Sequence, residues 1–140
     1  MLPAKTKLFR LNLSSTPLCE MCSHNVNEDI THAVLECDFN SNVNDWILAV
    51  LIDIDPDILN SDLTSINIVT LNLEVQHEKK LAFLIFLVTA FKLIWNLRKQ
   101  KKPIILTQLK SLTEAELTIL MKTKFSLTAK MIETALNFNA

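Results

Sequence analysis

Not one of the 140 residues is glycine. An average usage of about 7% would place about 10 in a chain this long. The absence removes every backbone that needs a positive φ without steric cost or a close approach to a ligand. There is no G-x-G-x-x-G fingerprint, no P-loop and no G-x-S-x-G elbow. Tight primed hairpin turns lose their usual Asn-Gly and Asp-Gly makers. Helix remains favoured, with stops made by Pro56, Pro103 and asparagines, which can act as left-handed caps. Hydrophobic residues make up 49% and charged residues 21%, so the chain is neither disordered nor fibrous in composition. Its length suits one domain with a sizeable core.

The formal net charge of −1 hides a strong asymmetry. Residues 1–10 carry +3, residues 11–78 carry −12 with no Lys or Arg, and residues 79–140 carry +8. An acidic middle and a basic C-terminal half predict either pairing between the two halves or a basic interaction surface. The N-terminus has no apolar leader, which predicts an intracellular protein, nuclear or cytoplasmic, that is not secreted. The longest apolar run, Leu81 to Phe91, is broken only by Thr89. Its 11 residues span roughly 16 Å as helix, against about 30 Å of bilayer core, and predict a buried helix and no membrane span.

The hydrophobic spacing reads as all-α: a small knuckle followed by a helical bundle with one long central apolar helix. The chain divides into residues 1–40, the knuckle with its flanking helices, and 41–140, the bundle, packed together as one unit. A first helix fits residues 3–13. Asn27 is placed to cap a second, which starts with Glu28 and Asp29 and turns Ile30, Val34 and Leu35 inward. A third follows Ser41 or Asn42, carries Trp46, Ile47, Val50 and Leu51 on one face, and ends near Asp55-Pro56. Residues 56–73 read mostly as loop, with some alternation at Ile66, Ile68, Leu71 and Leu73. The long helix runs from about Glu74 to Lys102, with one stripe at Leu81, Leu84, Val88, Phe91 and Trp95. Thr113 and Glu116 form a possible capping box, which predicts a break near 112 between Ile105, Leu109 and Leu112 on one side and Leu117, Leu120 and Met121 on the other. Ser126 can cap a last helix containing Leu127, Met131, Ala135 and Leu136.

All three cysteines and one histidine fall in the pattern C-x2-C-x9-H-x4-C: Cys19, Cys22, His32 and Cys37. Two thiolates separated by two residues can grip one metal from a single turn, and His plus a third Cys completes the tetrahedral Cys3His set that zinc favours. One structural zinc would use every cysteine and account for the odd count. The bland alternative is three buried thiols and a surface histidine. A redox role for Cys19 and Cys22 lacks the βαβ context it needs. His32 and Cys37 stand about 500° apart on a straight α-helix, so that helix must end or loosen before Cys37. Without glycine, Ser23, His24 and Asn25 must make the knuckle turn. His24 sits too close to Cys22 for a comfortable chelate and is expected in solvent; His77 is expected as a polar residue of a first turn.

No catalytic set emerges, so the expectation is a protein that is not an enzyme. Asp53, Asp55 and Asp57 imitate a calcium loop, but the glycine is missing and the twelfth position is Thr64.

Leu2-Pro3-Ala4-Lys5-Thr6-Lys7-Leu8, then Leu13-Ser14, Pro17-Leu18-Cys19-x-x-Cys22 and Glu28-Asp29-Ile30-Thr31-His32-Ala33-x4-Cys37, together resemble the reverse-transcriptase-associated zinc-binding domain of non-LTR (LINE-type) retrotransposons. The motifs span roughly residues 2–40; the long apolar helix ending in Trp95 and a basic run is similar, less specifically, to the tail beyond that domain. The resemblance implies zinc ligation by Cys19, Cys22, His32 and Cys37 and a nucleic-acid-facing role for Lys5, Lys7 and Arg10. It also implies a tail detached from its polymerase, a truncated element or a domesticated fragment. Arg98, Lys99, Lys101 and Lys102 are expected either to add phosphate contacts or to complement the C-terminal helix dipole. The expected partners are RNA or DNA, with a reverse transcriptase domain or a second copy as further candidates. A second reading, from a different class, is a zinc-stabilised module that dimerises or docks a partner through its Leu-rich helices.

Overall fold

The computed structural model describes residues 4–22, 24–58, 62–120 and 126–138, with the side chains at 120, 126, 137 and 138 left aside. The leading Leu2-Pro3, Ser23 of the knuckle turn, Met121 and the side chains of Leu120 and Ser126 therefore lie outside the described residues. Helix dominates. In chain order come α1 (Lys5–Arg10), a π-helical turn (His32–Glu36), a 3-10 turn (Asp38–Asn40), α2 (Ser41–Ile54), α3 (Ser65–Thr70), α4 (His77–Lys99), α5 (Leu106–Leu120) and α6 (Ser126–Phe138). Among the described residues the one extended pairing is an antiparallel bridge between Leu18 and Asn27.

The bundle is built from α2, α4, α5 and α6, which pack on one another, and the π-helical turn docks against α2 and α4. α2 buries Val43, Trp46, Ile47, Val50, Leu51 and Ile54, the helical spacing expected of one inward face. Trp46 meets Phe86 of α4 edge to face, ring centroids 5.5 Å apart. A smaller cluster of Ala4, Ala33 and Trp95, with Ile30 against it, joins the start of α1 and the knuckle to the far end of α4.

Several expectations need correction. The first helix is shorter than 3–13: it closes at Arg10, and Asn12 follows in the left-handed region at φ 58°. Asn27 does not cap a helix, because its backbone is held in the bridge to Leu18. The helix starts at Ile30, and Asp29 caps it by accepting the His32 N–H at 2.8 Å. Part of 56–73 is helical: Thr64 caps α3 by accepting the Asn67 N–H, and Ile68 is driven into the core. No break occurs near 112. Thr113 is buried within a continuous α5, and its hydroxyl donates back to the Leu109 carbonyl at 2.8 Å instead of forming a capping box. The buried line of α5 is Leu109, Thr113 and Leu117, leaving Ile105 and Leu112 exposed. In α6, Ala129, Ile132, Ala135 and Leu136 point inward, while Leu127 is 81% exposed.

α4 has 23 residues, twice the apolar run that suggests it, and by length and composition alone it could cross a membrane. In this fold it lies against α2, α5 and α6, with Ala82, Phe83, Phe86, Leu87, Ala90 and Ile94 in the core. It is not apolar and buried all round, however: Leu84 and Val88 of the expected stripe face outward.

The core account predicts that Phe86→Ala, at a fully buried side chain, destabilises the fold by about 3–5 kcal/mol. Urea denaturation measures it; a loss below about 1 kcal/mol would contradict the packing described.

Candidate metal centre

The two loop cysteines are presented by a closed neck. The Cys19 N–H donates to the Val26 carbonyl at 2.8 Å and the Glu28 N–H to the Pro17 carbonyl at 2.9 Å. Asn25, at φ 51°, supplies the left-handed residue that a glycine would otherwise provide; Asn tolerates that region better than most residues. This is where the missing glycine is felt.

His32 and Cys37 come from the other side of the neck. The Cys37 N–H donates to the His32 carbonyl at 2.8 Å, an i to i+5 bond, so the π-helical turn widens the helix by one residue. Cys37 itself leaves in an extended conformation, φ −70° and ψ 130°. The 500° mismatch of a straight α-helix is removed by widening the turn and then ending it. π-turns are rare and recur at functional sites.

The four side chains converge, with their ligand atoms all within 4.8 Å of one another. Cys19 Sγ and Cys37 Sγ are 3.8 Å apart, and Cys22 Sγ and His32 Nε2 are 3.5 Å apart. A tetrahedron with metal–sulfur bonds of about 2.3 Å and metal–nitrogen bonds of about 2.0–2.1 Å has S···S edges of about 3.8 Å and S···N edges of about 3.5–3.6 Å. These two edges match it, while the outer limit of the set is wider than a closed tetrahedron needs. The cysteines form no disulfide. Cys19, His32 and Cys37 are buried and Cys22 is half-buried. The Met21 N–H donates to Cys19 Sγ at 3.4 Å. If all four bound one metal ion, no position would be left open for substrate, the pattern of a structural site.

Beneath the cluster lies Arg98, only 4% exposed. Its Nη2 donates to Glu28 Oε2 at 2.8 Å and to Cys19 Sγ at 3.4 Å, and its Nη1 to Asn40 Oδ1 at 3.0 Å. Burial opposes the guanidinium charge, but hydrogen bonds to Cys37, Glu28 and Cys19 outweigh it and hold the Arg98 pKa above its ordinary value. In the metal-free chain burial pushes the Cys37 thiol up to about 11, against the pull of Arg98. A bound cation has to displace such protons, so metal affinity falls as pH falls.

The expectation that Arg98 reaches phosphate is therefore corrected: its donors are spent inside the protein. Glu28 and Asn40 are the other residues of this centre that spacing alone misses. Glu28 also accepts the Lys5 N–H at 3.1 Å, at the start of α1. The other basic residues lie outside. Lys5 pairs with Glu20 at 2.8 Å and Lys101 approaches the same carboxylate at 3.9 Å. That pairing with Lys5 holds the Glu20 carboxyl below its usual pKa. Lys5, Lys99 and Lys101 line one cavity of about 260 Å³ between α1 and the end of α4. Lys7, Arg10 and Lys102 are exposed. His24 lies in solvent as expected, bonded to the Asp38 carboxylate, and His77 is the exposed first residue of α4. Asp55 of the calcium-like run is buried, accepting from Lys79 Nζ at 3.1 Å and from the Asp57 N–H at 3.2 Å.

No protein family, curated protein or solved structure matches the chain.

The buried pair gives a direct test. Arg98→Met leaves Glu28 buried without its cation and is expected to cost about 3–5 kcal/mol. Lys99→Met, one residue on and exposed, is expected to change stability by less than about 0.5 kcal/mol. Equal urea midpoints for the two variants would contradict the assigned role of Arg98.

Proposed function

We propose that the chain is a non-catalytic helical domain that holds one structural zinc at Cys19, Cys22, His32 and Cys37 and contacts RNA or DNA through a basic rim. The observation that carries the zinc reading is the convergence of those four ligand atoms. Three soft sulfur ligands with one imidazole, their ligand atoms all within 4.8 Å of one another, suit zinc better than the oxygen-seeking cations. The nucleic-acid reading is supported by placement. Lys5, at the start of α1, Lys99, the last residue of α4, and Lys101 just after it line the same cavity, and Lys7 and Arg10 continue the charge along α1. Phosphate would compete there with Glu20, which already holds Lys5 and Lys101. The resemblance of residues 2–40 to the reverse-transcriptase-associated zinc-binding domain supports a retroelement origin and the same partner class.

Metal analysis of the purified chain should give one zinc per chain, and Cys37→Ala should lose it together with much of the folding stability. A Cys37→Ala protein with full zinc occupancy would overturn the ligand set. For the partner, fluorescence anisotropy with labelled RNA and DNA should show binding at low salt. The log–log salt slope should shrink by about 2–3 in a Lys99→Gln/Lys101→Gln/Lys102→Gln variant. Binding that is undetectable at low salt, or indifferent to salt, would refute the nucleic-acid reading.

A further inference from the structure

Along the outer side of α4 and α5 runs an apolar groove of about 430 Å³. Leu84 is 43% exposed, Val88 58% and Ile119 65%, far above what buried bundle positions show. Leu84, Val88 and Lys92 follow one another at four-residue spacing on α4, so they form a single stripe. On α5, Leu112, Glu116 and Ile119 make the matching face. The six residues 100–105 fold α5 back along α4, which sets the two stripes side by side. Two charges flank the groove, Lys92 from α4 and Glu116 from α5. Among the described residues neither has an ion pair or side-chain hydrogen bond.

We infer that this groove is the interface for a second copy of the chain, paired about a two-fold axis running along it. The charges argue for this occupant. Rotation about an axis parallel to the helices places α4 of one copy over α5 of the other. Each Lys92 then meets the Glu116 of its partner copy, and the Val88 of one copy meets the Ile119 of the other. In a two-fold interface residue i of one copy meets residue j of the other and j meets i, so a charge at i is neutralised when its opposite stands at j. Here a cation on α4 and an anion on α5 line the same groove. A lipid surface would have no use for the carboxylate. The dimer leaves the metal centre and the basic rim untouched, so it stands apart from the proposed nucleic-acid role.

Sedimentation equilibrium over a concentration series tests it. The chain should approach twice its 15.9 kDa mass. Val88→Asp should give monomer at every concentration. Lys92→Glu places like charges together twice per dimer and should weaken association by about tenfold or more. The exchange Lys92→Glu/Glu116→Lys should restore it to within about threefold of the parent. Helical circular dichroism and metal content should be unchanged in all three, because the positions lie on the outer face. A parent chain that is monomeric throughout would overturn the inference. So would a dimer indifferent to Val88→Asp, a charge exchange that fails to restore association, or a monomer that binds neutral lipid vesicles through Val88.

Discussion

A guanidinium taken out of water must find acceptors for its N–H groups and a counter-charge, and Arg98 finds them in three different parts of the chain. Glu28 lies 70 residues away in sequence, Cys19 lies 79 away and Asn40 lies 58 away. Each partner anchors something. Glu28 accepts the first N–H of α1, Cys19 begins the metal loop, and Asn40 stands at the entry to α2. One buried charge thus sets how the knuckle sits on the bundle. It also supplies the positive charge beneath the Cys3His cluster. Three thiolates around a divalent cation would leave one net negative charge, costly to bury alone, and Arg98 hydrogen-bonds the sulfurs of Cys19 and Cys37. The buried ion pair is a device of position and register more than a source of net stability.

The charge asymmetry along the chain resolves in the same way. Acidic residues before 78 pair with basic residues of α4 and its end: Glu28 with Arg98, Asp55 with Lys79, Glu20 with Lys101. These contacts tie the acidic middle to the basic half. The first of them is fully buried, the Asp55–Lys79 pair is part-buried, and the Glu20–Lys101 pair is exposed, where such pairs contribute about 0–1 kcal/mol.

The four-residue Cys3His cluster and the helical bundle were legible in the sequence because both depend on short-range spacing. C-x2-C and H-x4-C are local patterns, and Trp46, Ile47, Val50 and Leu51 announce their face by period alone. Three things were hidden. The π-helical turn at His32 could be demanded by geometry but not drawn, because no local rule favours an i to i+5 bond. Arg98 looked like the rest of its basic run, and only the fold separates it from Lys99. Thr113 offered the sequence of a capping box, yet a threonine bonded to its own i−4 carbonyl sits inside a helix just as readily. The absence of glycine was the most telling feature and also the least specific. It left Asn12, Asn25, Leu71 and Lys101 to take positive φ. Asn does so readily, whereas Leu71 and Lys101 accept a local cost of roughly 1–2 kcal/mol.

The central claim is that four named side chains close around one zinc. X-ray absorption at the zinc edge, on the purified full chain, measures that shell directly. Three sulfurs at about 2.3 Å and one imidazole nitrogen at about 2.0–2.1 Å are predicted. A first shell dominated by oxygen, or a chain that folds fully with no bound metal, would contradict it.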